Sequence, residues 1–247
     1  RMVEKNRWAT ESYPDEYGER VNRSIGFSGL GLDMFAKGKV SDAIELADRQ
    51  GVTPLDRSHW LDIGCGVGVA HGLMAPRVGQ LTGVDVSAEA IAIAQSKNGG
   101  VDYHVADSER LPFDDASFDC STTMCVMHHV QPQQWESFVA EAWRVTKPGG
   151  LFAVYEHNPI NPMTRWAVWR CPFDHDAVLL RARKVIRLLE QQGFEIVTQR
   201  YLFFVPIDRP WARRVDRWLR WLPLGAQYVV CGRRPEVGES TGAQHPA

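Results

Sequence analysis

Trp60-Leu61-Asp62-Ile63-Gly64-Cys65-Gly66-Val67-Gly68 reads as a short buried strand running into a glycine turn, with a helix to follow through Met74. Glycines between a strand and a helix let a ligand approach the backbone closely, and a helix start presents N–H groups without intrahelical partners. The dinucleotide signature GxGxxG needs a third glycine at residue 69, where this chain has Val69. That departure weakens a pyrophosphate reading without excluding it. Taken alone, the stretch also fits a tight turn of purely structural purpose.

Working outward, Leu81 to Asp85 predicts a second strand, and Ser87 is placed to cap the Ala/Ile-rich helix after it. Val101 to Val105 predicts a third strand and Ser117 to Met124 a fourth. A helix over Trp135 to Val145 leads through Pro148-Gly149-Gly150 into a fifth strand, Leu151 to Tyr155. Helices and strands alternating at this spacing imply an α/β domain with a largely parallel, doubly wound sheet covered on both faces. Ala177 to Gln192 predicts another helix, Phe194 to Val205 a strand, and Gln227 to Cys231 the last strand.

Two carboxylates stand at the ends of successive strands. Asp85 is placed to accept from ribose hydroxyls, and Asp107 from an adenine amino group. Either aspartate alone fits a cap or surface role. Together, beside the glycine turn, they fit the crevice at the carboxyl ends of parallel strands.

Leu61 to Gly68 resembles the first motif of class I S-adenosylmethionine-dependent methyltransferases, and Gly83-Val84-Asp85-Val86-Ser87 resembles their second. Ala106-Asp107-Ser108-Glu109-Arg110-Leu111-Pro112-Phe113 is similar to their adenine-contacting segment. Ser117-Phe118-Asp119 and Lys147-Pro148-Gly149-Gly150 are similar to later signatures. The resemblance covers residues 58 to 156 and implies S-adenosyl-L-methionine as cofactor. It implies that Asp62, Gly64 and Gly66 lie near the methionine portion, that Asp85 holds ribose, and that Asp107 and the Ser108 backbone hold adenine. It also implies Met124 near the donor. The implied fold is a Rossmann-like seven-stranded, mostly parallel sheet of order 3-2-1-4-5-7-6 with an antiparallel last strand. The expected organisation is an N-terminal helical cap over 1–57, the catalytic domain over 58–232 and a disordered tail over 233–247.

Transfer from a sulfonium donor needs alignment, plus a base only where the acceptor must lose a proton. His128 and His129 follow the fourth strand, and Tyr155-Glu156-His157 ends the fifth. His129 is the preferred base or acceptor contact, with Glu156 and His157 as further candidates, while His128 is expected to be packed or hydrogen-bonded. Asn158 and Asn161 are candidates for orienting an acceptor, and Pro159 and Pro162 equally suggest a turn. Residues 156 to 174 look like an insertion of a bacterial methyltransferase subgroup. The N-terminal segment is read either as a lid, with Tyr13, Tyr17 and Phe27 over the site, or as packing against the sheet.

The rest of the composition narrows the function. A net charge of -2, from 28 Lys and Arg against 30 Asp and Glu, carries no overall nucleic-acid signature. Five scattered cysteines without a CxxC pair encode neither a zinc cluster nor a disulfide framework, so no metal is expected and a cytoplasmic setting is. Neither a signal peptide at the start nor an apolar run of the roughly 20 residues that span a bilayer is recognisable. The expected activity is methyl transfer to a small-molecule acceptor, favouring oxygen, in secondary metabolism. A lipid-linked, glycan or macromolecular acceptor, or a non-catalytic adenosine-ligand-binding scaffold, are the alternatives.

Arg209 to Leu222 stands apart. Trp211, Val215, Trp218 and Leu222 recur at helical spacing, interleaved with Arg213, Arg217 and Arg220. A packing helix with a solvated basic face is the plain expectation. Contact with a membrane surface and a homodimer surface are the functional ones.

Overall fold

The computed structural model describes residues 31–236 apart from 53, 108, 172, 173, 175, 206 and 208. Tyr13, Tyr17, Phe27 and Ser108 therefore lie outside the described residues, as does most of the expected tail. Seven strands form one sheet: β1 (His59–Ile63), β2 (Gln80–Asp85), β3 (Asp102–Val105), β4 (Phe118–Met124), β5 (Thr146–His157), β6 (Glu195–Leu202) and β7 (Gln227–Arg233). Their order is β3-β2-β1-β4-β5-β7-β6. Only β7 runs antiparallel to its neighbours, pairing Tyr155 with Val229 on one side and Tyr201 with Tyr228 on the other.

β5 shows why the sheet is covered on both faces. Phe152 and Val154 point into one core with Val139 and Ala142 of α4 (Trp135–Val145) and Val185 and Leu188 of α6 (Ala182–Gln191). Leu151, Ala153 and Tyr155 point the other way, onto Val40, Ala43 and Leu46 of α1 (Leu32–Arg49). A strand buried on both sides must be apolar without alternation, which is the pattern of Leu151 to Tyr155. Helix α1 thus closes a core face of the sheet, while residues 1–30 of the N-terminal segment lie outside the described residues.

The remaining helices are α2 (His71–Met74), α3 (Ala88–Lys97), α5 (Pro162–Arg170) and α7 (Pro210–Leu219). Ser87 caps α3 as its sequence position suggests, its Oγ accepting from Ala90 N at 3.2 Å. Two boundaries differ from expectation. β5 begins at Thr146, because Phe118 already pairs with that residue and the ladder resumes at Cys120 and Leu151. At the other end, order continues beyond residue 233. Arg234 donates through Nη1 to the carbonyls of Trp143, Arg144 and Thr146, tying the chain to the end of α4.

Candidate active site

The glycine turn after β1 is built by left-handed backbone. Gly64 has φ +76° and Gly66 φ +53°, conformations that cost an L-residue roughly 1–2 kcal/mol. A Cβ on Gly64 would meet Val126 Cγ1 at 2.5 Å, whereas one on Gly66 would meet nothing within 4 Å. The first glycine is needed for close packing within the protein, and the second leaves open space at the strand ends.

Asp85 organises this turn. Its Oδ2 accepts from Gly66 N at 2.8 Å and its Oδ1 from Ser87 N at 2.9 Å. Burial raises its pKa, and the Ser87 and Gly66 N–H groups pull it only partly back. Gly64 N and Cys65 N donate to the Val84 carbonyl, and Gly68 N to that of Cys65. The N–H groups of Gly64, Cys65, Gly66 and Gly68 are thus committed inside the protein, leaving the loop poor in donors for a pyrophosphate. It offers a carboxylate whose oxygens keep further lone pairs for hydroxyls, which suits an adenosine ribose.

Asp62 sits beneath the turn. It is buried, with Oδ1 accepting from Thr122 Oγ1 at 2.9 Å and Oδ2 meeting His71 Nε2 at 3.1 Å. His71 Nδ1 continues to the Tyr103 hydroxyl at 2.7 Å. Asp62 thereby braces β1 against β4 and α2. Asp107 is exposed, and its Oδ1 accepts from Arg110 N at 2.7 Å and Glu109 N at 2.9 Å. Those two N–H groups lower its pKa. Neither uses Oδ2, so that oxygen can still accept from an amino group. Met124 is half-buried at the end of β4, just before Cys125 turns the chain with φ +63°.

At the ends of β4 and β5 lies a cluster of titratable groups. Glu156 is fully buried: Oε2 meets His128 Nδ1 at 2.6 Å, and Oε1 accepts from Val126 N at 3.0 Å. Asp174 Oδ1 lies 3.5 Å from Nε2 of both His128 and His129. Burial opposes charge on His128, but the Glu156 carboxylate and Asp174 outweigh it and push its pKa up to about 10. Burial likewise opposes charge on Glu156, yet His128 holds it below the ordinary carboxylate range. His129 and His157 go the other way, each lowered to about 4 by burial and then by the positive His128.

The structure therefore separates residues that sequence proximity had grouped. His128 is packed and hydrogen-bonded, as expected, and Glu156 has both oxygens engaged inside the protein. His129 is the member that reaches solvent, with 40% of its side chain exposed. Asp174 is a site residue that sequence reasoning missed. It follows β5 at long range and has no local motif, although it ends the stretch of residues 156 to 174 that looks like an insertion. Another missed group is Lys39 of α1, buried with Nζ 3.4 Å from Cys125 Sγ. Gln227 Nε2 donates to the same sulfur at 3.5 Å, and its buried Oε1 has no partner among the described residues. The amides of Asn158 and Asn161 donate to the carbonyls of Gly225 and Leu224. A grouping of possible metal ligands is a further feature that the sequence does not announce. No local spacing encodes one, but the fold brings ligand atoms of His128, His129 and Asp174 within 4.8 Å of one another.

A glycine turn that favours hydroxyls over phosphates lies beside a histidine cluster at the same end of the sheet, as the resemblance to class I methyltransferases implies. A methyltransferase-domain family model matches residues 61–154. An uncharacterized methyltransferase of Synechocystis is 34% identical over 110 residues, covering 44% of this chain and 50% of its own length. The chain thus spans half of that relative. A ubiquinone biosynthesis O-methyltransferase of Sinorhizobium fredii is 27% identical over 201 residues, covering 76% of this chain and 77% of that protein. Among solved structures, a possible histamine N-methyltransferase of Thermotoga maritima shares the fold, with TM-score 0.63 and 20% identity over 89% of this chain and 95% of that one. Residues 61–154 thus match a methyltransferase domain, and the chain is similar to S-adenosylmethionine-dependent methyltransferases, a similarity that implies S-adenosylmethionine as cofactor. Among the described residues, no helix is long and apolar enough to cross a membrane.

Proposed function

We propose that the enzyme methylates a hydroxyl oxygen of a small molecule, with His129 receiving the hydroxyl proton. The observation that carries this reading is the double role of Val126. Its side chain lies against Gly64 of the donor turn, and its N–H is held by Glu156 of the histidine cluster. One short segment, Cys125 to His129, thus ties the donor turn to the acceptor side. The similarity to a ubiquinone biosynthesis O-methyltransferase supports oxygen as the acceptor atom.

When bound, S-adenosylmethionine supplies an electrophilic methyl group. The rest falls to the protein. Asp85 and Asp107 hold the ribose and adenine edges. Burial and the charge of His128 keep the His129 ring neutral at pH 7, so it accepts a proton when the hydroxyl oxygen attacks. The Asp174 carboxylate, 3.5 Å from Nε2, stabilises the imidazolium so formed. Glu156 is a positioning residue that fixes His128 and the Val126 amide. His157 lies behind it, its ring centroid 5.1 Å from that of His128. Five free thiols fit a cytoplasmic setting. The test is a methyl-transfer screen over hydroxylated metabolites with mass-spectrometric identification of the product. A methyl ether formed by the wild type and lost in His129→Ala supports the reading, whereas products methylated only on nitrogen or carbon overturn it.

A further inference from the structure

Helix α7 opens on Pro210 and is held by its inner face. Ala212 is buried, Val215 and Leu219 are half-buried, and Asp216 Oδ1 accepts from Phe204 N at 2.9 Å and Val205 N at 3.1 Å. Its tryptophans are largely outside that packing. Trp211 is 54% exposed and Trp218 75%, two helical turns apart, with the exposed Arg214 between them on the same stripe. The plain expectation of a packing helix therefore fails for these two residues. Trp221, beyond the helix, is 72% exposed.

A second helix also displays aromatic side chains. In α5, Thr164 and Val168 point inward while Trp169 is 79% exposed, and the Arg170 guanidinium lies 4.9 Å from the Trp166 ring centroid. The two regions are bolted together. Asn161 Nδ2 donates to the Leu224 carbonyl at 2.7 Å and Thr164 Oγ1 to that of Ala226 at 2.8 Å. The start of α5 is thus tied to the segment after α7, and each region leaves tryptophans exposed.

The charge on this face has one sign. Arg214 and Arg217 are exposed, while Asp216, the acidic residue of α7, is turned inward onto backbone amides. Arg220 does not belong to the face, since it turns toward Asp42 at 3.6 Å and Glu45 at 3.4 Å. Exposed indoles flanked by guanidinium groups match the boundary between anionic headgroups and acyl chains, where an indole buries its ring and keeps its N–H wet. A second copy across a two-fold axis would set arginine against arginine. We propose that this face docks on an anionic bilayer surface, with Trp169, Trp211, Trp218 and Trp221 entering the headgroup boundary and Arg214 and Arg217 meeting lipid phosphates.

The test is flotation of the full chain with phosphatidylcholine vesicles and with vesicles also containing phosphatidylglycerol. The wild type should float with the anionic vesicles. Trp218→Ala should lower its partitioning about tenfold at low and high salt alike, through lost apolar burial. The pair Arg214→Glu and Arg217→Glu should lower it chiefly at low salt, where charge is least screened. Because these side chains are exposed, Trp218→Ala should leave the melting temperature and S-adenosylmethionine affinity unchanged. A wild type that ignores anionic vesicles overturns the proposal. So does a Trp218→Ala variant that melts several degrees lower, or a wild-type dimer on light scattering that this change dissociates.

Discussion

His128 Nδ1 lies 2.6 Å from Glu156 Oε2 in a pair with about 1% of either side chain exposed. The second oxygen of Glu156 holds the Val126 amide, so the pair fixes the segment that lies between the glycine turn and the histidine cluster. A buried pair broken on one side leaves an uncompensated charge and costs about 3–5 kcal/mol.

Glu156→Gln should therefore melt lower than the wild type, by an amount that depends on pH. Glu156 is lowered from 4.5, so its contribution is complete above that value and is lost as pH falls through the folded pKa. His128 is raised from 6.5 to about 10, so its contribution is complete below 6.5 and is gone once pH passes 10. The gap between wild type and variant should be widest between 4.5 and 6.5 and narrow toward alkaline pH. Thermal melts across that range check it, and a gap independent of pH removes the ion pair as the cause.

The acid limb of the rate profile reports on His129. A free histidine would lose its base form near 6.5, but burial and the His128 charge place this loss near 4. Catalytic efficiency should thus stay level through pH 6.5 and fall only well below it, provided the fold survives. His129→Ala should lower kcat about 10²–10⁴-fold, the usual contribution of a positioned base, with donor affinity unchanged. An acid limb centred at 6.5 would point to a different, more ordinary histidine.

Gly64 and Gly66 should separate folding from binding. Alanine at Gly64 meets Val126 Cγ1 at 2.5 Å and forces a Cβ onto φ +76°. It should cost both stability and donor affinity. Alanine at Gly66 bears only the backbone strain, about 1–2 kcal/mol, but projects into the space left for the donor. Calorimetric titration with S-adenosylmethionine should show a weakened Gly66→Ala whose melting temperature drops less than that of Gly64→Ala. Equal donor affinity in wild type and Gly66→Ala would move the donor away from this glycine.

Much of this arrangement was legible because its signals are local. β1 and β2 are apolar runs that end in the glycine turn and Asp85, so strand, turn and carboxylate are read within one stretch. Helix α5 was hidden because Pro159 and Pro162 suggested a loop. In fact Pro162 takes the first helical turn and Asn161 Oδ1 accepts from Thr164 N at 3.0 Å, a helix start that the spacing did contain. Asp174 had no such signal, since its role exists only once the chain after β5 folds back onto His128. The expected face of α7 was also shifted. Val215 and Leu222 are half-buried while Trp211 and Trp218 are exposed, because periodicity marks a stripe but not which side of it finds a partner.

Asp85→Asn tests the ribose acceptor more sharply than its near-isosteric size suggests. The carboxylate already accepts from Gly66 N and Ser87 N, one on each oxygen. An amide keeps one acceptor oxygen and presents an NH₂ group where the other stood, so one of those bonds is lost along with the charge. Donor affinity should fall by at least the ~1.5–3 kcal/mol of a charge-assisted bond, roughly ten- to hundredfold. Isothermal titration at neutral pH measures it, and an unchanged affinity in a folded variant would take Asp85 out of donor binding.

Chelation distinguishes two uses of the His128, His129 and Asp174 grouping. As a proton relay it needs no ion, because Glu156 neutralises the charged His128 and Asp174 offsets the charge that His129 gains with the proton. As a cation site it would draw on the same Nε2 and carboxylate atoms, which lie within 4.8 Å of one another. The relay predicts that exhaustive treatment with EDTA leaves methyl transfer and donor affinity intact, and that added Zn²⁺ inhibits by occupying the His129 ring. Asp174→Asn should then lower kcat while leaving donor affinity alone, since Asp174 touches the histidines and not the glycine turn. Activity abolished by EDTA and restored by Mg²⁺ or Zn²⁺ would instead assign the three residues to a metal and remove His129 as the base.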